Sequence, residues 1–296
     1  MAARGAPLPL VTQPIHPIDD GMQTRLDNPL ARIDPALTMP AVPSRVGDNA
    51  VVFGSAHAPK ATIMSSSSKP VSAGPPPEIG LTQHALPPDE AYDPRLSMVI
   101  DPDSERAASF RVLRHHLLQL GRPQVIVVSS ALRGEGKTTT ALNLALALAE
   151  CGRSKVLLAE THVRRPQLAG ALKLVPPWCF AEQLAAHRHQ PMLPWSLVEI
   201  PQLWLHVAAI NPRIEKTQLL DAPAFTIAME RLRLGGYEHI VIDAPPVLGS
   251  ADVNLMADSA DAVVFALRAR QTNTRDVRRA VDQIGSSKVV GTVIVE

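Results

Sequence analysis

Apolar residues follow two different rules along this chain. From residue 98 onward, short unbroken apolar runs alternate with stretches in which apolar residues recur at helical spacing. QVIVVSS (124–130), KVLLAE (155–160), LWLHVAA (203–209), HIVIDAP (239–245), DAVVFALR (261–268) and KVVGTVIV (288–295) are short and rich in β-branched residues, which predicts buried strands. Between them, residues 101–120, 138–152, 223–236, 251–260 and 274–287 predict helices. The first of these carries Phe110, Leu113, Leu117 and Leu120 at helical spacing behind Asp103 or Ser104 as a cap, and the second is stopped by Gly152. Strands apolar on both faces, separated by helices, predict an α/β fold: a mostly parallel sheet with helices on both faces. Ligands of such sheets sit at the carboxyl ends of the strands, so the loops after residues 129, 160 and 243 are expected to face one site.

Before residue 98 neither period is sustained. Of the 28 prolines, 17 fall within the first 102 residues, among SSSS at 65–68, GPPP at 74–77 and ALPPDE at 85–90, a composition that cannot bury a core. The expectation is a disordered, Pro/Ser-rich flexible extension over 1–97 followed by one folded domain over 98–296. VGDNAVVFG at 46–54 is read as part of that disorder, with a short strand or docking peptide as the alternative.

Composition adds exclusions. A net charge of +1, from 29 basic and 28 acidic residues, gives no global attraction to nucleic acid or to an anionic membrane. Cys151 and Cys179 make neither a disulfide framework nor a metal-spaced set, so a reduced, cytoplasmic compartment is expected. No apolar run has signal-peptide length near the N-terminus or reaches about 18 residues elsewhere. A membrane link would then need a partner, with no transmembrane segment of its own.

The chemistry is concentrated where strand 124–130 meets helix 138–152. GEGKTT between a strand and a helix is the context of a phosphate-binding P-loop. Arg133, Gly134, Glu135, Gly136, Lys137, Thr138 and Thr139 form the expected cradle: glycines let backbone N–H groups turn toward an anion, Lys137 meets the terminal phosphates, and Thr138 offers a hydroxyl to Mg²⁺. Ala131 stands where the strict GxxxxGK[ST] pattern has glycine. HIVID places Asp243 at a strand end, as a metal-binding acid, and VLLAETHVRRP delivers Glu160, His162, Arg164 and Arg165 to the same face.

With these residues in order, the chain resembles the bacterial tyrosine kinases (BY-kinases) over about residues 100–295. The resemblance rests on FRVLRHHL, GEGKTT with NLALALAECG, KVLLAETHVRRP, FTIAMERLRLGGYEHIVIDAPPVL and DAVVFALRARQT. It implies a P-loop NTPase fold and ATP with Mg²⁺ as cofactors. It also implies a membrane polysaccharide co-polymerase (chain-length determinant) as partner at the inner face of the plasma membrane, and a role in exopolysaccharide or capsule export. Lys137, Glu160 and Asp243 are the implied catalytic residues, Thr138 and Asp243 the implied metal ligands, and Arg164 an added phosphate contact.

The family's second acidic motif reads Asp-x-Asp-x-Arg, and here Glu160 and His162 stand at the two acids. Neutral imidazole is a poor Mg²⁺ ligand, so kinase chemistry is expected to be weakened or lost; the alternative is an active kinase acting on itself or in trans. A ParA- or MinD-type positioning ATPase ranks lower, because Leu132 and Arg133 stand where those proteins carry a lysine. The family's subunit-contact helix matches at Arg111 and Arg114 but has Ala108 for its acid, which leaves a homo-oligomer open. The C-terminal tyrosine cluster has no counterpart; Tyr92 lies in the linker and Tyr237 is expected to be structural. His115, His116, His187 and His189 are read as surface residues, the arginines of 274–285 as a solvated helix face, and Trp178, Trp195 and Trp204 as packing a long connection onto the sheet.

Overall fold

The computed structural model describes residues 75–86, 88, 92–152, 154–213 and 222–295, so the patch at 46–54 lies outside the described residues. In chain order the elements are β1 (Ile79–Gln83), α1 (Ser97–Ile100), α2 (Glu105–Gln119), β2 (Val125–Ser129), α3 (Lys137–Ala149), β3 (Val156–Glu160), α4 (Leu168–Ala171) and α5 (Phe180–His189). They continue as β4 (Trp195–Ile200), β5 (Leu205–Ala208), α6 (Ala222–Arg233), β6 (His239–Asp243), α7 (Asp252–Ser259), β7 (Ala262–Arg268), α8 (Thr274–Ile284) and β8 (Val289–Val295). The eight strands form one sheet in the order β1-β4-β5-β3-β6-β2-β7-β8, in which β4 and β5 are antiparallel and every other neighbouring pair is parallel.

The unbroken apolar runs are explained by burial on both faces. Every residue of β2, β3 and β6 is buried. Ile126, Val128, Leu158 and Val241 pack toward Phe110 and Leu117 of α2 and the leucines of α3. Val125, Val127, Leu157 and Ile242 pack toward Phe180, Phe225, Met256 and Ala280 of α5 to α8. Full burial of one such side chain contributes about 1.5–3 kcal/mol, so these two layers fix the position of the strand ends. Ser104 caps α2, its hydroxyl accepting from the Ala107 N–H at 3.2 Å, which resolves the choice between Asp103 and Ser104.

Three features depart from the sequence reading. β1 lies within the stretch assigned to the extension: Ile79–Gln83 pairs in parallel with Trp195–Glu199, so ordered structure starts before residue 98. The long connection expected over 176–204 contains regular structure, since it holds α5 and β4. His187 is not on the surface; it is buried in α5, stacked on Trp195 with ring centroids 3.7 Å apart, its ring nitrogens bonded to the Gln183 and Leu193 carbonyls. The polar run AAHRHQP concealed it because its neighbours Arg188 and His189 are exposed.

Candidate phosphate-binding site

β2, β6 and β3 lie side by side, with Val128 opposite Asp243 and Asp243 opposite Glu160, so the three expected loops do open together. The chain leaves β2, turns through Gly134 (φ +81°) and Gly136 (φ +88°), and enters α3 at Lys137. Gly136 is constrained twice, by its left-handed backbone and by Val295, whose Cγ2 would sit 2.9 Å from an added Cβ. The loop is braced by side chains: Glu135 accepts from the Leu132 N–H at 2.8 Å and from the Thr272 hydroxyl at 2.7 Å, and Arg268 donates to the Gly134 carbonyl at 3.4 Å.

Lys137 is buried, and that burial pulls its pKa below the ordinary lysine value, against the opposing charges of Asp243 and Glu135. Thr138 donates its hydroxyl to Asp243 Oδ2 at 2.7 Å. Asp243 Oδ1 is buried with no hydrogen-bond partner. Burial raises the Asp243 carboxyl to about 6, against the pull of the Thr138 bond and the charges of Lys137 and Arg95. A buried, unsatisfied carboxylate oxygen beside a P-loop hydroxyl is costly unless a cation completes it, and these donors fit Mg²⁺, a hard ion that takes few protein oxygens and shares the rest with phosphates. The described residues hold no cluster of three or more His, Cys, Asp or Glu suited to a metal.

Glu160 is differently placed. Its Oε1 accepts from the Gln167 N–H and from the Leu168 N–H at 2.9 Å, and its Oε2 accepts from the Ile210 N–H at 3.0 Å. Both oxygens are therefore occupied in joining the β3 end to α4 and to the β5 end. Burial, with the charge of Asp243 added, raises its pKa to about 7 despite those three N–H groups. His162 is partly buried, and burial together with Lys137, Arg133, Arg165 and Arg164 lowers its imidazole to about 4. Arg133, Arg164 and Arg165 are exposed around it. Thr139 opens the helix behind the loop, its carbonyl accepting from Asn143 at 2.8 Å.

The sequence reading missed Arg95, whose charge reaches both Asp243 and Glu160, and Thr272, which holds Glu135. Neither lies near the phosphate loop in the chain, and only the sheet order brings them there. Arg111 and Arg114, implied as subunit contacts, both bind Glu150 within the chain, at 2.6 and 2.8 Å.

No protein-family model matches the chain. Among curated relatives, the succinoglycan biosynthesis transport protein ExoP of Rhizobium meliloti is 28% identical over 223 residues, 70% of this chain but 28% of that protein. The tyrosine-protein kinase YwqD of Bacillus subtilis is 24% identical over 66% of this chain and 82% of its own length. The tyrosine-protein kinase CpsD of Streptococcus pneumoniae is 27% identical over 54% of this chain and 70% of its own. The chain thus spans about a quarter of ExoP and most of the shorter relatives. Among solved structures, the chimerical protein CapA2B2 superposes with a TM-score of 0.59 at 24% identity, covering 74% of this chain and 93% of that one. The kinase domain of the Escherichia coli tyrosine kinase ETK gives 0.55 at 17% identity, covering 69% and 80%. These structural likenesses establish the P-loop fold, and in sequence the chain is similar to bacterial tyrosine-protein kinases and to a polysaccharide transport protein.

Proposed function

We propose that this chain binds Mg-ATP at its phosphate loop and works beside a membrane polysaccharide chain-length protein, at the inner face of the plasma membrane, with transfer to tyrosine weakened or lost. Lys137 would meet the terminal phosphates, the N–H groups of Gly134 to Thr139 would cradle them, Thr138 and Asp243 would hold Mg²⁺, and Arg133 and Arg164 would close the rim. Bound Mg²⁺ would neutralise phosphate charge. The observation that carries the reading is Glu160: its two oxygens accept three backbone N–H groups that tie the β3 end to α4 and to the β5 end, so the carboxylate is held as a strut and is not free to swing to a substrate hydroxyl. His162 offers no second carboxylate beside it. Tyr237 is buried with its hydroxyl 2.9 Å from His206 Nδ1, which makes it a poor acceptor of phosphate in the folded chain.

The names of YwqD and CpsD favour a second reading, an active kinase whose substrate tyrosine lies on another protein. Radiolabelled ATP with wild type and Lys137→Met separates them. The expected result is Mg-dependent nucleotide binding that Lys137→Met abolishes, with little phosphotyrosine formed; fast labelling of tyrosine would establish the active kinase instead.

A further inference from the structure

We propose that Arg95 is a positioning residue of the phosphate site, tying the phosphate-loop helix to the loop after β3; the proposal rests on the nucleotide-binding reading above. Arg95 precedes α1, in the segment between β1 and α1. Its carbonyl accepts from Asn143 Nδ2 at 2.7 Å, and the same nitrogen donates to the Thr139 carbonyl at 2.8 Å. Asn143 Oδ1 accepts from the Ser97 hydroxyl at 3.1 Å and the Met98 N–H at 3.0 Å. Asn143 is fully buried, so the backbone around Arg95 is fixed against the first turns of α3.

The guanidinium points the other way. Nε and Nη2 each donate to Asp93 at 2.8 Å, and Nη1 donates to Gln167 Oε1 at 2.6 Å. The Gln167 N–H in turn donates to Glu160. One residue therefore connects Thr139, just behind the lysine, with the loop 161–167 that carries His162 and Arg164. A local Asp93–Arg95 turn would be complete with the three bonds to Asp93, from the backbone N–H, Nε and Nη2. The bond to Gln167 sets the distance between Lys137 and Thr138 on one side and the loop's cations on the other, the separation a nucleotide's phosphates must span. The side chain is planar and forked, so both directions are held at once.

Calorimetric titration of the full chain with Mg-ADP and a non-hydrolysable Mg-ATP analogue tests this, using Arg95→Ala, Gln167→Ala, the double variant and Arg95→Lys. Each alanine variant is expected to weaken binding about tenfold, with the double no weaker than the worse single, since both remove the same tie. Arg95→Lys, which keeps one donor, should recover part of the loss. Single variants that bind like wild type, or a double variant whose loss is the product of the two, would overturn the proposal. Should Arg95→Ala fail to fold, Gln167→Ala alone decides: unchanged affinity overturns it and a tenfold loss supports it. A wild type that binds no nucleotide would overturn the nucleotide-binding reading, and this proposal with it.

Discussion

His162 shows how one residue can redirect a site. An aspartate there would be surrounded by Lys137, Arg133, Arg164 and Arg165, the charges that add to burial, the larger cause, in lowering the imidazole pKa to about 4. Those cations would keep a carboxylate ionised and ready for Mg²⁺. His162→Asp is therefore expected to raise Mg²⁺ affinity and phosphoryl transfer, on the order of tenfold or more, read as product formed from labelled ATP. Asp243 makes a separate, pH-dependent prediction. Its folded pKa is raised to about 6, chiefly by burial, so the proton favours the metal-free fold, and that stabilisation disappears as pH rises through 6. Mg²⁺ needs the ionised form. Mg-nucleotide affinity should strengthen from pH 5.5 to 7.5 with proton release, measured by calorimetry in buffers of different ionisation enthalpy; Asp243→Asn should bind weakly and lose this pH dependence. Lys137, Thr138 and Asp243 were legible in sequence because strand-loop-helix and strand-acid patterns place them without help. Arg95 was not, because its position depends on Asn143 and Gln167, 48 and 72 residues away.

At the scale of elements, the central strands were readable because burial on both faces leaves an unbroken apolar run. β1 and β4 were harder. β1 is IGLTQ with four of its five residues exposed, and it is held by pairing with β4 rather than by apolar burial. β4 begins at Trp195 and mixes buried with half-buried positions, so it carries no clean period. Helix α2 offers a testable contact of its own. Arg111 and Arg114 converge on Glu150, whose carboxyl is held below its ordinary range, by the Arg111 bond above all. The three side chains are about a quarter to a third exposed, so the cluster contributes about 1 kcal/mol. Glu150→Gln should lower the thermal midpoint by about 2–4 °C, and adding Arg114→Ala should cost less than the sum of the two single changes. Equal and additive losses would mean that each arginine acts alone.

At the scale of the molecule, β1 shows how far the sheet draws on residues ahead of His84. It is the outermost strand next to β4, and the Trp195 N–H donates to the Glu78 carbonyl at 2.8 Å while the His84 N–H donates to the Glu199 carbonyl at 2.8 Å. Ile79 packs against the cluster that contains Trp195 and Tyr237, with its Cδ1 close to Gly235. A chain beginning at Pro75 keeps all of these contacts, whereas one beginning at His84 leaves the β4 edge unpaired and that apolar corner uncovered. Both keep Arg95 and the phosphate site. Removing β1 is therefore expected to lower the thermal midpoint by several degrees relative to the Pro75 start and to promote self-association through the open edge. Nucleotide affinity should change little, because β1 is separated from the β3–β6–β2 strand ends by β4 and β5. Thermal unfolding, light scattering and titration of the two shortened chains measure the three quantities independently. Equal thermal midpoints would place the start of the folded unit after residue 83, as the proline-rich composition first suggested.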